Sequence, residues 1–370
     1  MLLWLGRPGA NPSATHPAGK EAARAVRTGR EAVATLIGAR RPSSIVFTSG
    51  GSESTSTVIH SAAVARPGRP FVRSAAEHSA TRKAVLRETG ETDDTLEIAI
   101  DRDGRLDREA LFAAIETSPA LVTLILLNNE TGVISDLSGV GEACRASGSL
   151  FHIDAVQAPG KTPIDVEELG CDTMSLSAHK FHGPRGMGAL YVREGAPLTP
   201  LVVGGLQEGE RRAGTENVPG IVGMGVAALR ARALAASAEA QAELAGRRDR
   251  LEVAILQGCP GARVHGGKRR AANATNIGFE LAETGLDATA LLGLLHAQGI
   301  EVSAGSACNA TRMAPSPVLR AMGLDEAAAS SALRFSLAHS GTPDAATDED
   351  IDRCAAAVVE AYGTLMNLVQ

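Results

Sequence analysis

The sequence predicts an α/β protein whose largely parallel sheet is covered by helices, followed by a second, smaller α/β domain. Short apolar runs alternate with stretches of helical periodicity over most of the chain. The runs are apolar throughout, as expected of parallel strands buried on both faces. A segment at 226–256 lacks Pro and is rich in Ala, Leu, Glu and Arg, which predicts long helices that bridge the two domains.

These patterns assign the elements in order along the chain. The predicted strands are 44–48, 121–127, 150–154, 172–176, 188–192, 274–279, 300–303 and 333–337. The predicted helices are 18–39, 53–65, 287–298, 318–322 and 348–368, besides the bridging segment. We place a large domain at 11–236 and a small C-terminal domain at 237–370, with residues 1–10 expected near the small one.

Composition excludes several classes of protein. A net charge of -6 and a pI near 5.9 give no sign of a surface for nucleic acid or an anionic membrane. The apolar runs 121–127 and 221–229 are too short to span a bilayer, and no signal peptide is evident, so we expect a cytoplasmic protein. An odd count of five cysteines without a C-x-x-C pair argues against a disulfide framework and against a four-ligand zinc site.

Two chemically informative residues end predicted strands. Lys180 follows one strand among small residues, where desolvation would lower its pKa and favour Schiff-base formation. Asp154 ends another strand, where a carboxylate can pair with a protonated pyridine nitrogen. In isolation, a lysine such as Lys180 is most often a surface residue, and an aspartate such as Asp154 commonly caps the following helix.

A glycine-rich turn and a histidine complete the candidate cofactor site. Gly50, Gly51 and Ser52 lie in a strand-to-helix turn, whose free N–H groups suit a phosphate. His78 is a candidate for stacking on a cofactor ring, although a lone histidine is more often structural. Each of these two signals is weak by itself.

Cys308 differs from the other cysteines in its surroundings. It lies in a run of small residues at 303–312, whereas the other four lie in apolar or helical segments typical of core thiols. A cysteine on such a loop can approach a substrate, attack it as the thiolate and leave with its product. The alternative for a single loop cysteine is an inert free thiol.

Read together, these segments resemble the class V aminotransferase-like enzymes that use pyridoxal 5'-phosphate (PLP), specifically cysteine desulfurases of the iron–sulfur-cluster and nitrogen-fixation type. The matching segments follow one another in the family's order and at close to its spacing. They are NPSATH (11–16), FTSGGSE (47–53), EHSA (77–80), NNETGV (128–133), HIDAVQAPGK (152–161), SLSAHKFHGPRGMGALYVR (175–193), RAGTENVPGIVGMG (212–225), SAGSACNA (303–310) and LRFSL (333–337).

The resemblance implies a type I PLP fold, with a mostly parallel seven-stranded sheet in the large domain. It also implies a set of residue roles. These are Lys180 as the Schiff-base lysine, His78 stacked on the ring, Asp154 at the pyridine nitrogen, Gln157 at the ring hydroxyl, Gly51, Ser52, Ser177 and His179 at the phosphate, Thr215 at the phosphate from a partner subunit, and Asn129 and Arg334 at the substrate carboxylate.

The implied reaction converts L-cysteine to L-alanine, with the sulfur carried on Cys308 as a persulfide. The enzyme would be a homodimer that passes sulfur to an acceptor protein, and the long spacing from Cys308 to Pro315 resembles the long-loop group. The alternatives are a selenocysteine or cystine C–S lyase, and a weakly active paralogue in a sulfur-transfer complex. The second alternative draws on a departure from the family, because only ten residues precede Asn11 where the family has a longer segment.

Overall fold

The computed structural model describes residues 1–6, 11–90, 95–281, 286–304, 315–340, 342 and 345–367. The chain forms two compact units. The first comprises 1–98, 108–126 and 136–236, and the second comprises 99–107, 127–135 and 237–370. The sequence division at 236/237 assigned 99–107 and 127–135 to the large domain, whereas here both segments cluster with the second unit.

The first unit is built on a seven-stranded sheet with the order β1-β7-β6-β5-β4-β2-β3. Its strands are β1 (Ile45–Thr48), β2 (Phe71–Ser74), β3 (Thr95–Ile98), β4 (Leu121–Ile125), β5 (Leu150–Asp154), β6 (Thr173–Ser177) and β7 (Gly188–Val192). Strands β2 to β6 pair in parallel, which confirms the expected class of sheet. Every residue of β4 to β7 is buried, in agreement with their apolar sequences.

Strand β7 corrects one prediction, because its apolar sequence was interpreted as that of another parallel strand. It pairs antiparallel with both β6 and β1. Ten residues separate the end of β6 at Ser177 from the start of β7 at Gly188. A connection that holds only a short turn returns the chain beside the strand that it left, whereas a parallel partner requires a longer crossover.

Helices surround this sheet. They are α1 (Leu2–Leu5), α2 (Pro17–Leu36), α3 (Gly51–Ala65), α4 (Ser79–Thr89), α5 (Arg108–Glu116), α6 (Val140–Ser147), α7 (Val166–Leu169) and α8 (Val218–Ala236). Helix α8 is long and apolar enough to cross a membrane by length and composition, although the run at 221–229 had appeared too short. A Cβ on Gly225 would lie 2.9 Å from the Gly29 Cα of α2, so we assign α8 to the core of this unit.

The second unit is a four-stranded antiparallel sheet with the order β10-β11-β9-β8. Its elements are α9 (Ala238–Gly258), β8 (Arg263–His265), β9 (Ala274–Gly278), α10 (Ala288–Ala297), β10 (Ser303–Ala304), α11 (Pro317–Ala321), α12 (Glu326–Ser330), β11 (Ala332–Ser336) and α13 (Asp348–Asn367). Buried side chains of α9, α10 and α13 pack against β9 and β11 to form its core, for example Ile255, Leu291, Val358, Ile277 and Leu333.

The topology brings several strand ends to one edge of the first sheet. Strands β2, β4, β5 and β6 run in parallel, and β1 has the same direction because two antiparallel pairings through β7 separate it from β6. The loops after these strands therefore meet at the carboxyl edge. This is the edge at which open α/β sheets bind their ligands.

Candidate active site

The turn after β1 forms a narrow cradle at the start of α3. A Cβ added to Gly51 would lie 2.5 Å from the Val156 side chain, and one added to Gly188 would lie 2.5 Å from the Gly50 Cα. The first N–H groups of a helix have no partner within it, so this end of the 15-residue α3 can bind an anion. Ser52, in the first turn, is exposed.

Two further predicted phosphate ligands lie at the end of β6. Ser177 is buried, and its side chain is adjacent to the cradle, since a Cβ on Gly51 would lie 3.7 Å from its own Cβ. The Ser177 Oγ and the Nδ1 of His179 are 3.0 Å apart. Burial and the nearby cations Lys180 and Arg185 lower the pKa of His179.

Asp154 and His78 face the same edge of the sheet. Asp154 ends β5 at 5% exposure, and its Oδ1 accepts a hydrogen bond from the Val156 N–H at 3.0 Å. His78 caps α4, with its Nδ1 accepting from the Ala80 N–H at 3.1 Å. An Nδ1 that accepts leaves Nε2 to carry the proton of the neutral ring.

The charges of Asp154 and Lys180 both act on His78, so these two side chains lie close to that of His78. Burial lowers the pKa of His78, the Asp154 carboxylate raises it, and the Lys180 ammonium lowers it further. Burial raises the pKa of Asp154, while its hydrogen bond from Val156 and the proximity of His78 oppose that shift. The structure therefore brings together the three residues on which the sequence prediction chiefly depended.

Lys180 itself differs from the prediction in one respect. It lies in a single 3-10 turn, Ala178–Phe181, directly after β6, as expected of a lysine at a strand end. Its side chain is exposed, whereas the sequence argument assumed a lysine removed from water. Proximity to the His78 side chain, rather than desolvation, is what distinguishes it from a surface lysine.

Gln157 and Thr215 are the remaining predicted cofactor ligands. Gln157 is half-buried, and its Oε1 accepts from the Lys161 ammonium at 2.8 Å. Thr215 is exposed and lines a cleft of about 210 Å³, to which Ser49 also contributes. Thr215 thus lies near the cradle of its own chain.

Two ion pairs that the sequence reasoning missed hold the segment around Thr215. The Arg212 Nε donates to the Glu53 Oε1 at 2.9 Å, and the Glu53 Oε2 accepts from the Ser49 N–H at 2.8 Å. Glu208, with its side chain only 3% exposed, accepts from Arg30 at 2.5 and 2.8 Å. Glu53 and Arg212 both lie in the quoted motifs, but only the fold shows that they meet.

In the second unit, Asn129 and Arg334 are in direct contact. The Arg334 Nη1 of β11 donates to the Asn129 carbonyl oxygen at 2.8 Å. The neighbouring Glu130 is buried, and its carboxylate accepts a hydrogen bond from the Ser316 hydroxyl at the start of α11. Both predicted ligands of the substrate carboxylate are therefore half-buried neighbours.

The cysteines of the described part of the chain have the properties of core thiols. Cys144, Cys171 and Cys259 are buried, Cys354 is half-buried, and none of the four forms a disulfide. Burial raises the pKa of Cys144 to about 12, and those of Cys259 and Cys354 to about 11. Such thiols are poor nucleophiles. Cys308 lies outside the described residues.

The fold is that of the type I PLP-dependent enzymes, and the chain belongs to the aminotransferase class-V family, whose profile matches residues 5–353. It is 46% identical over 344 residues to a protein named cysteine desulfurase from Cereibacter sphaeroides, covering 92% of this chain and 86% of the relative.

Solved structures agree with this assignment. A structure titled NifS-like protein matches with a TM-score of 0.87 at 30% identity, and the match covers 98% of this chain and 94% of the chain in that structure. A structure titled SspA in complex with cysteine matches with a TM-score of 0.77 at 32% identity, and the match covers 93% of this chain and 94% of the chain in that structure. The expected fold and family are thereby confirmed.

Proposed function

We propose that this protein is a PLP-dependent cysteine desulfurase, which takes sulfur from L-cysteine onto Cys308 and passes it to an acceptor. The proximity of Lys180, His78 and Asp154 beside the Gly50–Gly51 turn is the observation that carries the proposal. The cysteine desulfurase relatives support the choice of reaction within the family.

The residues at the carboxyl edge fit PLP by their chemistry. A buried acid suits the pyridine nitrogen, and a glycine turn that a Cβ would obstruct suits a phosphate. In our proposal PLP is held by a set of groups that share this edge. They are Lys180 by a covalent bond, Asp154 at the pyridine nitrogen, His78 against the ring, Gln157 at the ring hydroxyl, and Gly51, Ser52, Ser177 and His179 at the phosphate.

PLP, when bound, supplies an electron sink for the substrate Cα. In the proposed reaction, Lys180 removes and returns the proton at Cα. The neutral His78, which carries its own proton at Nε2, assists this proton transfer. The guanidinium of Arg334 holds the planar carboxylate of L-cysteine, aided by Asn129.

The Cys308 thiolate then attacks the substrate sulfur. The S–S bond forms as the Cβ–S bond breaks, and Cβ gains a proton. The products are L-alanine and a Cys308 persulfide. Atoms and electrons balance without any external oxidant. The four described cysteines are unsuited to this attack, because burial raises their pKa.

The proposed partners are a second copy of the chain and a sulfur-acceptor protein. The segment leading to Thr215 exposes Val203 at 80% and Leu206 at 76%, which supports burial of this segment in a homodimer. In that homodimer we place Thr215 at the phosphate of the partner's site, although within one chain it lies near that chain's own cradle. A cytoplasmic location is part of the proposal and is supported by the four unpaired thiols of the described chain.

The test is to measure L-alanine and sulfide released from L-cysteine by the PLP-loaded protein with a thiol reductant. We expect equal amounts from wild type, loss of both in Cys308→Ala, and no change in the matched control Cys354→Ala. Release that survives Cys308→Ala would indicate a C–S lyase. An inactive wild type with a full complement of PLP would indicate the non-catalytic paralogue.

A further inference from the structure

Glu77 is a buried carboxyl group to which the mechanism above gives no part. It immediately precedes His78 in the connection between β2 and α4, and it is 1% exposed. Its Oε1 accepts hydrogen bonds from the Ser74 hydroxyl and from the Ile125 N–H, both at 2.7 Å. It therefore joins this connection to the last residue of β4.

The position of Ile125 connects Glu77 to the candidate site on its other side. Ile125 is the register partner of Asp154 in the parallel pairing of β4 with β5. The Glu77 carboxyl thus lies between the backbone that positions His78 and the strand end that positions Asp154. On the α4 side, Arg82 donates to the backbone carbonyls of Glu77 and Ala75, at 3.0 and 2.8 Å.

The second oxygen of Glu77 indicates its charge state. Oε2 is buried and has no hydrogen-bond partner among the described residues. A bare carboxylate oxygen in such surroundings is costly, whereas a protonated oxygen costs far less. The nearby Asp154 carboxylate adds repulsion to any negative charge on Glu77, since like charges disfavour ionisation.

We propose that Glu77 is a positioning residue for His78 and Asp154, and that it performs this task as an uncharged carboxylic acid. It holds the connection before α4 against β4. Because Glu77 itself carries no charge, the negative charge at this edge of the sheet is that of Asp154. That its neighbours act on L-cysteine rests on the function proposed above, but the protonation of Glu77 does not.

The electrostatics of the surroundings support this assignment. Burial, opposed by the Ser74 hydrogen bond and reinforced by Asp154, raises the pKa of Glu77 to about 8. The Ile125 N–H and the Arg82 guanidinium act in the other direction without reversing the shift. The folded-state pKa of Glu77 lies above its ordinary value of 4.5. The contribution of Glu77 to the free energy of unfolding is therefore complete below pH 4.5 and is lost as the pH rises from there through about 8.

Infrared spectroscopy of the cofactor-free protein at pH 6.5 tests the charge directly. We expect a carboxylic-acid C=O band that Glu77→Gln removes and that fades above pH 8. The matched control is Glu252→Gln, which alters a buried glutamate paired with Arg270 and should leave the band unchanged. A spectrum that Glu77→Gln does not alter would overturn the proposal, whatever reaction the enzyme catalyses.

PLP affinity and turnover test the positioning role. Glu77→Gln keeps an uncharged acceptor of the same shape, so we expect PLP affinity and kcat/KM within about threefold of wild type. Glu77→Ala loses the connection to β4, and a displacement of His78 should lower kcat/KM by about 100-fold. A loss in Glu77→Gln as large as this would show that the carboxylate itself is required. The Gln variant also decides the matter if Glu77→Ala does not fold.

Discussion

Replacing Arg30 by Met should strongly destabilise the protein, because Arg30 is the ion-pair partner of the buried Glu208, 178 positions later in the chain. The substitution removes both hydrogen bonds to the Glu208 carboxylate and a third to the Ile45 carbonyl oxygen at 2.6 Å. It also removes a guanidinium that lies 4.8 Å from the centre of the Phe47 ring. The remaining Glu208 carboxylate, 3% exposed, then keeps the Phe47 N–H, at 3.1 Å, as its one hydrogen-bond donor among the described residues, with the Arg211 guanidinium nearby.

The expected cost follows from leaving a buried charge without its partner. Breaking such a pair from one side typically costs about 3–5 kcal/mol, and we expect Arg30→Met to fall in this range. The double variant Arg30→Met/Glu208→Gln removes both charges and should cost less than the sum of the two single variants, by about 2 kcal/mol. Arg41→Met is the control, because its pair with Glu194 is mostly exposed and should contribute less than about 1 kcal/mol.

Urea unfolding followed by circular dichroism measures these differences. Two results would refute the reasoning. A cost for Arg30→Met no larger than that of Arg41→Met would mean that Glu208 is hydrated once Arg30 is removed. Additive costs in the double variant would mean that the two side chains contribute separately and that the close contact has little energetic significance.

Three further predictions concern the cradle, a helix and a buried histidine. Gly188→Ala should raise the Kd for PLP at least about tenfold, by absorbance titration, because its Cβ would lie 2.5 Å from the Gly50 Cα and the backbone must shift. Gly246→Ala, with nothing within 4 Å of the new Cβ in α9, should stabilise by about 0.5–1 kcal/mol in urea; a loss would contradict the open surroundings. Burial lowers the pKa of His152 to about 3. Its contribution to the free energy of unfolding is therefore present above the unfolded-state pKa of 6.5 and is lost as the pH falls towards 3. His152→Asn should flatten the fall in Tm over that range.

The sequence was sufficient for the elements whose apolar patterns are local. Strands 150–154 and 188–192 were predicted with the bounds that the structure gives, and α3 begins within two residues of its predicted start. The direction of β7 was not predictable from its own residues. A buried apolar run looks the same in either direction, and only the short turn before it decides the pairing.

The same distinction applies to the candidate site. Lys180, Asp154 and His78 were identified from their motifs, and the structure places them close together. Glu77 was part of a quoted motif but received no role, because its contacts are with Ser74 and with Ile125, 48 positions away. A residue that acts by joining two backbones carries no signature in its own neighbourhood.

The two early segments that belong to the second unit affect the order in which a growing chain can be completed. The segment 127–135 leaves the ribosome long before its partners, since Asn276, which donates to the Glu130 carbonyl, is 146 positions later and Arg334 is 205 positions after Asn129. The N-terminal part of a nascent chain folds first. The carboxylate-binding pair that we assign to Asn129 and Arg334 is therefore assembled only after the 205 positions that follow Asn129 have been synthesised.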